Sequence, residues 1–361
     1  MVAGLVGNVS ALVRPATPKT YAQSGVDRSA VREALQALVG GAPYRPPPSH
    51  GRAVDAPGHF AGLLRIGKET IAVTTDTVGT KVLVAEEMRR FEEVGEDIVG
   101  VNVNDLAAVG ARPAGLVDVI SCAVPDPKVF AEIGRGIGRG LRTAECTLLG
   151  GETAVVPDLL DGFDLGGTAV GFFPRGRRPI VGRGIRPGDI LLGIPSAGFH
   201  ANGFTLVRRI ISECRIDLTQ PREGARGSLG AELLRPTRIY TPMSEALADR
   251  PDVRGFAHIS GGGVRNLSRL NRNVAFVLDR WPRPEGLFAW IRELGGLSDE
   301  EMYQTFNVGI GFVVVVAPHR LAEVRRRLAR AGAPDALPVG HVERGSGVRI
   351  PELGLEYSGY S

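Results

Sequence analysis

Apolar residues along this chain recur at two spacings, and the two alternate. Val129, Ile133, Ile137 and Leu141 return every fourth residue behind Asp126, which predicts an amphipathic helix with an aspartate cap. Ile98, Val101, Leu106 and Val109 predict a second helix over Glu96 to Gly110. Further helices are expected over 202–212, 285–294 and 321–331, the last an Arg-rich solvated face. Between them lie short β-type runs at 71–75, 116–122, 147–149, 167–173, 189–194, 274–278 and 312–316. The alternation predicts an α/β or α+β fold. A basic, turn-rich stretch at 174–179 marks the boundary between two domains. The expected organisation is a leader over 1–20, domains over 21–174 and 175–346, and a tail over 347–361.

Composition narrows the class. With 361 residues, 43% apolar and 23% charged, the chain has core material for two globular domains. A formal charge of +4 is too small to predict nucleic-acid binding. Cys122, Cys146 and Cys214 are far apart with no CxxC pair, which argues against a zinc site or disulfide framework and for a reducing, cytoplasmic setting. The mildly apolar run from Val2 to Val13 lacks a basic flank and is too short to span a bilayer, so no membrane association is expected.

The 49 glycines follow no triplet period, so they point to backbone-dense loops, some of which also carry a carboxylate, an amide or a histidine. Four segments have that design, and a fifth, at 102–105, carries the amides and carboxylate without glycine. They are Asp76-Thr77-Val78-Gly79-Thr80-Lys81, Asn102-Val103-Asn104-Asp105, Gly150-Gly151-Glu152-Thr153, Ser196 to Gly203, and His258-Ile259-Ser260-Gly261-Gly262-Gly263. Glycine at a strand end lets backbone N–H groups approach phosphate oxygens, and carboxylates offer hard oxygen ligands to magnesium. The first segment is not a Walker A loop. Each segment alone could equally be a turn, a helix cap or a satisfied histidine. Their order and spacing together point to ATP chemistry.

That order resembles phosphoribosylformylglycinamidine cyclo-ligase, the AIR synthetase family, over about Tyr21 to Glu343. Besides the five segments, the resemblance includes Tyr21 to Asp27, Arg235-Pro236-Thr237-Arg238-Ile239-Tyr240 and Glu301 to Gly311. It implies two α/β domains, the N-terminal sheets closing a barrel across a homodimer. It also implies ATP-dependent phosphorylation of a formamide oxygen, after which an amidine nitrogen closes an imidazole ring. By the same resemblance Asp76, Asp105 and Glu152 would hold magnesium and nucleotide phosphates, with Gly79, Thr80, Lys81, Asn104, Gly150 and Gly151 completing the ATP site. Ser196, Gly198, His200, Asn202 and Gly261 to Gly263 would bind the ribonucleotide amidine. His258, and Lys81 as a point charge, would be catalytic.

Departures fall on the substrate side. Thr77 replaces a customary glycine, Ala22 a customary lysine, and Phe199 and Ala201 alter the substrate loop. Asp118 to Cys122 lacks the usual aromatic residues. A paralogue acting on another amide is therefore one alternative, and a non-catalytic nucleotide-binding protein is another.

Overall fold

The computed structural model describes residues 19–42, 47–54, 56, 58–221 and 227–360, so most of the expected leader lies outside the described residues. Two sheets account for the architecture. The first holds β1 (Arg52–Ala53), β2 (Gly62–Ile66), β3 (Glu69–Thr77), β4 (Arg112–Cys122), β5 (Thr147–Val155) and β6 (Phe163–Phe172), in the order β1-β2-β3-β6-β4-β5. The second holds β7 (Ile190–Pro195), β8 (Val253–His258), β9 (Val274–Val277), β10 (Ile310–Val316), β11 (Leu337–Arg344), β12 (Val348–Ile350) and β13 (Leu355–Tyr357), in the order β13-β12-β9-β11-β7-β10-β8. Residues 347–357, expected as a tail, thus supply two strands of the second sheet.

The helices that set the site are α1 (Arg28–Gly40), α2 (Lys81–Met88), α3 (Glu92–Ala108), α4 (Pro127–Ala144) and α5 (Phe204–Glu213). Asp126 caps α4 by accepting from Lys128 N at 2.8 Å, and Pro127 opens the helix without losing a needed donor. Helix α4 joins β4 to β5, the parallel pair of the first sheet. Helix α3 is buried nearly all round, because it lies between the first sheet, α4 and β8 of the second. Gly136 of α4 sits where a Cβ would collide with the Glu92 carbonyl, which lets the two helices approach.

One face of the first sheet carries α3 and the other is bare. Ala72, Thr74, Leu165 and Ala169 are buried on the helix side, while Thr75, Thr77, Val119 and Phe172 are exposed on the open side. Strand β10, between β7 and the edge strand β8, is buried at every position, as its unbroken apolar run predicts.

Candidate functional site

The site forms where the carboxyl-terminal half of α3 meets the end of β8. Asp105 and His258 are joined across the two sheets, His258 Nδ1 lying 2.8 Å from Asp105 Oδ1. A carboxylate accepts only, so Nδ1 carries the proton and Nε2 keeps its lone pair. His258 is almost completely buried, and its Nε2 has no partner. His200 is fully buried in a left-handed conformation, φ 60°. Its Nε2 accepts from Ala197 N at 3.2 Å, which places the proton on an unpartnered Nδ1. Burial first, then the charges of His258, Lys81 and Arg238, hold the His200 pKa well below the ordinary histidine range, so the ring stays neutral. Asn202 Nδ2 is a third buried atom without a partner, and Asn202 Oδ1 lies 3.2 Å from where a Cβ on Gly261 would be. One acceptor and two donors are therefore desolvated and unspent in one region, and such groups are costly unless a ligand uses them.

Asp76, at the end of β3, stands beside this dyad. It keeps solvent-accessible surface at the rim, but protein atoms crowd its carboxyl group. That crowding first, and the charge of Asp105 second, push its pKa up to about 6. A divalent cation would relieve the repulsion that Asp105 exerts on Asp76, and magnesium takes one or two such ligands beside phosphates and water.

Glu152 does not join them within the chain. Asp76 is registered to Gly167, Gly167 to Asp118, and Asp118 to Gly151, all on the α3 side. Glu152 is one residue on and so faces the open side, three strand spacings or about 14 Å across. Among the described residues no group of three or more His, Cys, Asp or Glu gathers as a metal cluster. The expected trio is therefore corrected: within the chain Glu152 lies apart from Asp76 and Asp105. Gly150-Gly151-Glu152 is also not a loop but part of β5. Gly151 fits there because the Asp118 side chain fills the space of a Cβ.

Lys81 is a second correction. It is fully buried, its Nζ 2.6 Å from Asp97 Oδ2 and donating to the carbonyls of His200 at 2.9 Å and Arg235 at 2.8 Å. Three partners use its three protons, so none faces a phosphate. Asp97 Oδ1 accepts from Thr237 N and Oγ1 at 2.7 and 2.6 Å. Asn104 likewise does not reach a nucleotide, since it donates to Arg238 O at 2.9 Å and accepts from Tyr240 N at 2.8 Å. Asp97 and Asn104, two turns apart on one face of α3, thus clamp the segment 235–240. Two polar residues seven positions apart on one face of α3 were the signal that could have found the clamp in the sequence.

Asn102 and Asp105 lie inside α3 rather than after a strand, and Asn102 Nδ2 donates to Ile98 O at 2.9 Å. Gly79 takes φ 65° ahead of α2, and Thr80 Oγ1 is 3.0 Å from Thr205 Oγ1 on α5. Ser196 Oγ donates to Asn307 Oδ1 at 2.9 Å, and Asn307 Nδ2 donates to Gly198 O at 2.8 Å. Both residues therefore shape the loop before His200. Gly262 and Gly263 have no room for a side chain against Tyr360 and the Tyr303 carbonyl. Arg28 Nη2 donates to Gly261 O, Gln304 O and Thr305 Oγ1 at 3.2, 2.9 and 3.1 Å, so the start of α1 leans on the second sheet's half.

Two of the departures noted in the sequence, Thr77 and Phe199, turn away from the cleft. Thr77 pairs with Gly166 on the open face, opposite in direction to Asp76. Phe199 is buried among Phe204, Phe288 and Phe306 and is a core residue.

Family models agree with the geometry. Residues 58–173 match the AIR synthase related protein N-terminal domain, and residues 186–351 match its C-terminal domain. The chain is 41% identical over 334 residues to phosphoribosylformylglycinamidine cyclo-ligase of Methanothermobacter thermautotrophicus, covering 92% of this chain and 96% of that protein. It is 42% identical to the protein of the same name from Thermococcus gammatolerans, covering 93% and 99%. Among solved structures it resembles AaThiL complexed with AMPPCP and TMP, with a TM-score of 0.63, 16% identity and coverage of 96% and 99%. A HypE–HypF complex also gives a TM-score of 0.63, at 18% identity over 90% of this chain and 98% of that one. Those distant likenesses establish the fold alone. Nearly full-length identity to the cyclo-ligases goes further, and the chain belongs to the phosphoribosylformylglycinamidine cyclo-ligase (AIR synthetase) family.

Proposed function

We propose that the protein closes the imidazole ring of aminoimidazole ribonucleotide from formylglycinamidine ribonucleotide, using ATP. The observation that carries this reading is the set of unspent atoms at His258 Nε2, His200 Nδ1 and Asn202 Nδ2 beside two carboxylates, in a chain of this family. An amide oxygen is a poor leaving group, and transfer of the γ-phosphoryl group to it makes a good one. The amidine nitrogen then attacks that carbon, phosphate departs with the former amide oxygen, and the nitrogen loses a proton. No protein nucleophile is required, so the chain's part is to position groups and balance charge.

Each residue has a definite share. His258 Nε2 takes the proton from the attacking nitrogen, and Asp105 holds the tautomer and steadies the imidazolium that results. His200 Nδ1–H and Asn202 Nδ2 donate to oxygens that gain charge. Asp76 and Asp105 Oδ2 would hold magnesium, which supplies neutralisation of the nucleotide phosphates. Gly79 and Thr80 present backbone beside them.

The open face of the first sheet supports a homodimer in which two such sheets close on each other. Ile66, Val119 and Phe172 are exposed on it, and β5 is an exposed edge strand with Leu149 bare. Glu152 and Thr77 would then lie at that interface.

Among the described residues no helix is long and apolar enough to cross a membrane. Purified protein given formylglycinamidine ribonucleotide and Mg-ATP should form aminoimidazole ribonucleotide with one ATP consumed per ring. ATP consumption only with a different amide would reject this substrate in favour of the paralogue reading.

A further inference from the structure

A pocket of 170 Å³ opens where the last residues of the chain cross back over the start of the first sheet's half. Its walls include Gly58, Ser268, Arg269, Arg272, Ser358 and Tyr360, and no lining residue is acidic. The two arginines differ in kind. Arg269 is fixed, donating from Nε to Gly58 O at 2.8 Å, from Nη1 to Asn266 Oδ1 at 3.4 Å and from Nη2 to His59 O at 2.7 Å. Its guanidinium lies over the rings of Phe60 and Tyr360, 4.3 and 4.7 Å from their centroids. Arg272 is exposed, reaches to the Gly58 side of the pocket, and makes no hydrogen bond or ion pair among the described residues.

The far wall is held deliberately. Arg265 donates from Nε to Gly359 O at 3.0 Å and from Nη2 to Tyr360 O at 2.6 Å. The Tyr360 ring lies against Gly262, 2.5 Å from where a Cβ would be, so alanine there would displace it. The tail therefore ties the pocket to the glycine loop of the candidate site. Gly261, next to Gly262, lies against Asn202 of the candidate site, which puts the pocket beside that site.

A pocket lined by two guanidinium groups, hydroxyls and glycine backbone, with no carboxylate, is complementary to an anion. Arg269 spends a donor from each of its nitrogens on the protein and adds mainly charge. The planar N–H fork of Arg272 is unspent among the described residues and suits phosphate oxygens best. The volume is below the roughly 300–1,000 Å³ of sites that enclose a drug-sized ligand, so it fits one small charged group whose remainder projects outward. We propose that this pocket is a phosphate-monoester site that anchors the 5′-phosphate of the ribonucleotide substrate, with Ser358 to Tyr360 as its closing wall. The assignment of that phosphate as the substrate's rests on the reaction proposed above. It moves the anchor away from the Gly198–Asn202 loop, where the family resemblance had placed it.

Calorimetric titration of the full chain with ribose 5-phosphate, inorganic phosphate and acetate tests the pocket without turnover. Ribose 5-phosphate should bind and acetate should not. Arg272→Gln, a surface change, should weaken ribose 5-phosphate at least tenfold, as should removal of residues 358–361. In turnover, both variants should raise KM for the ribonucleotide at least tenfold, with a smaller effect on kcat. Binding unchanged in both variants overturns the site. Inorganic phosphate binding without ribose 5-phosphate overturns the assignment to substrate. Normal ribose 5-phosphate binding in a protein that forms no imidazole keeps the pocket and rejects the reaction, so the two readings fail separately.

Discussion

Replacing Lys81 by methionine removes one ammonium group and leaves Asp97 behind in a fully buried position. Asp97 Oδ2 loses its 2.6 Å ion pair, while Oδ1 keeps both donors from Thr237. The carbonyls of His200 and Arg235 lose charge-assisted bonds at 2.9 and 2.8 Å. Breaking a buried pair from one side costs about 3–5 kcal/mol, because the remaining charge is uncompensated. Each orphaned carbonyl adds up to about 1–3 kcal/mol, but effects within one network do not sum. Methionine also keeps the apolar stem near Phe204, whose ring centroid is 5.5 Å from the Lys81 ammonium. The expected loss is about 4 kcal/mol, a large share of the roughly 5–15 kcal/mol of a typical protein. Urea unfolding followed by circular dichroism reads it, with the m-value unchanged. Lys81→Met combined with Asp97→Leu should recover most of the loss, since an apolar pair costs no desolvation of charge. A single-variant loss below about 1 kcal/mol, or a double variant no better than the single, refutes the buried-clamp reasoning. Intact stability with lost Mg-ATP binding would restore the phosphate role that the sequence suggests.

Three further outcomes are expected. His258→Asn should lower kcat by about 10²–10⁴ while calorimetry shows Mg-ATP binding retained; a kcat within threefold of the parent removes His258 from proton transfer. Asp76 has a pKa raised to about 6 in the folded chain, so turnover and magnesium affinity should fall as pH drops through 6. The folded state then binds the extra proton between the unfolded value and 6, so this group makes the metal-free protein more stable as pH falls across that window. Asp76→Asn should abolish both dependences, and their persistence assigns them elsewhere. Val119→Glu places a charge on the open sheet face and should shift the protein to monomer in sedimentation velocity, whereas an unchanged species would place any dimer interface elsewhere.

Local chemistry made much of the fold legible. The cap at Asp126, the four-residue stripe of α4 and the unbroken run of β10 are short-range signals, and the observed elements fall within a few residues of them. Glycine density misled at β5. Gly150-Gly151-Glu152 reads as a turn, yet parallel pairing with β4 carries the strand through, and Gly151 is there for the Asp118 side chain. Strands β12 and β13 are too short to show a period of two, so their segment read as tail. At the site, residue types were legible and partnerships were not. Asp105 and His258 are 153 positions apart, and nothing local says that they meet. Lys81 follows an acidic glycine segment, which suggests phosphate, but its partner Asp97 lies a helix away and only the tertiary fold reveals it.

The central claim is that the amide oxygen leaves as phosphate when the ring closes. Formylglycinamidine ribonucleotide carrying oxygen-18 in its formyl group, turned over with unlabelled ATP in ordinary water, tests it most directly. The released inorganic phosphate should carry one oxygen-18 atom per aminoimidazole ribonucleotide formed, seen as an isotope shift in its phosphorus resonance. Unlabelled phosphate, with the label found in water, would contradict phosphorylation of that oxygen.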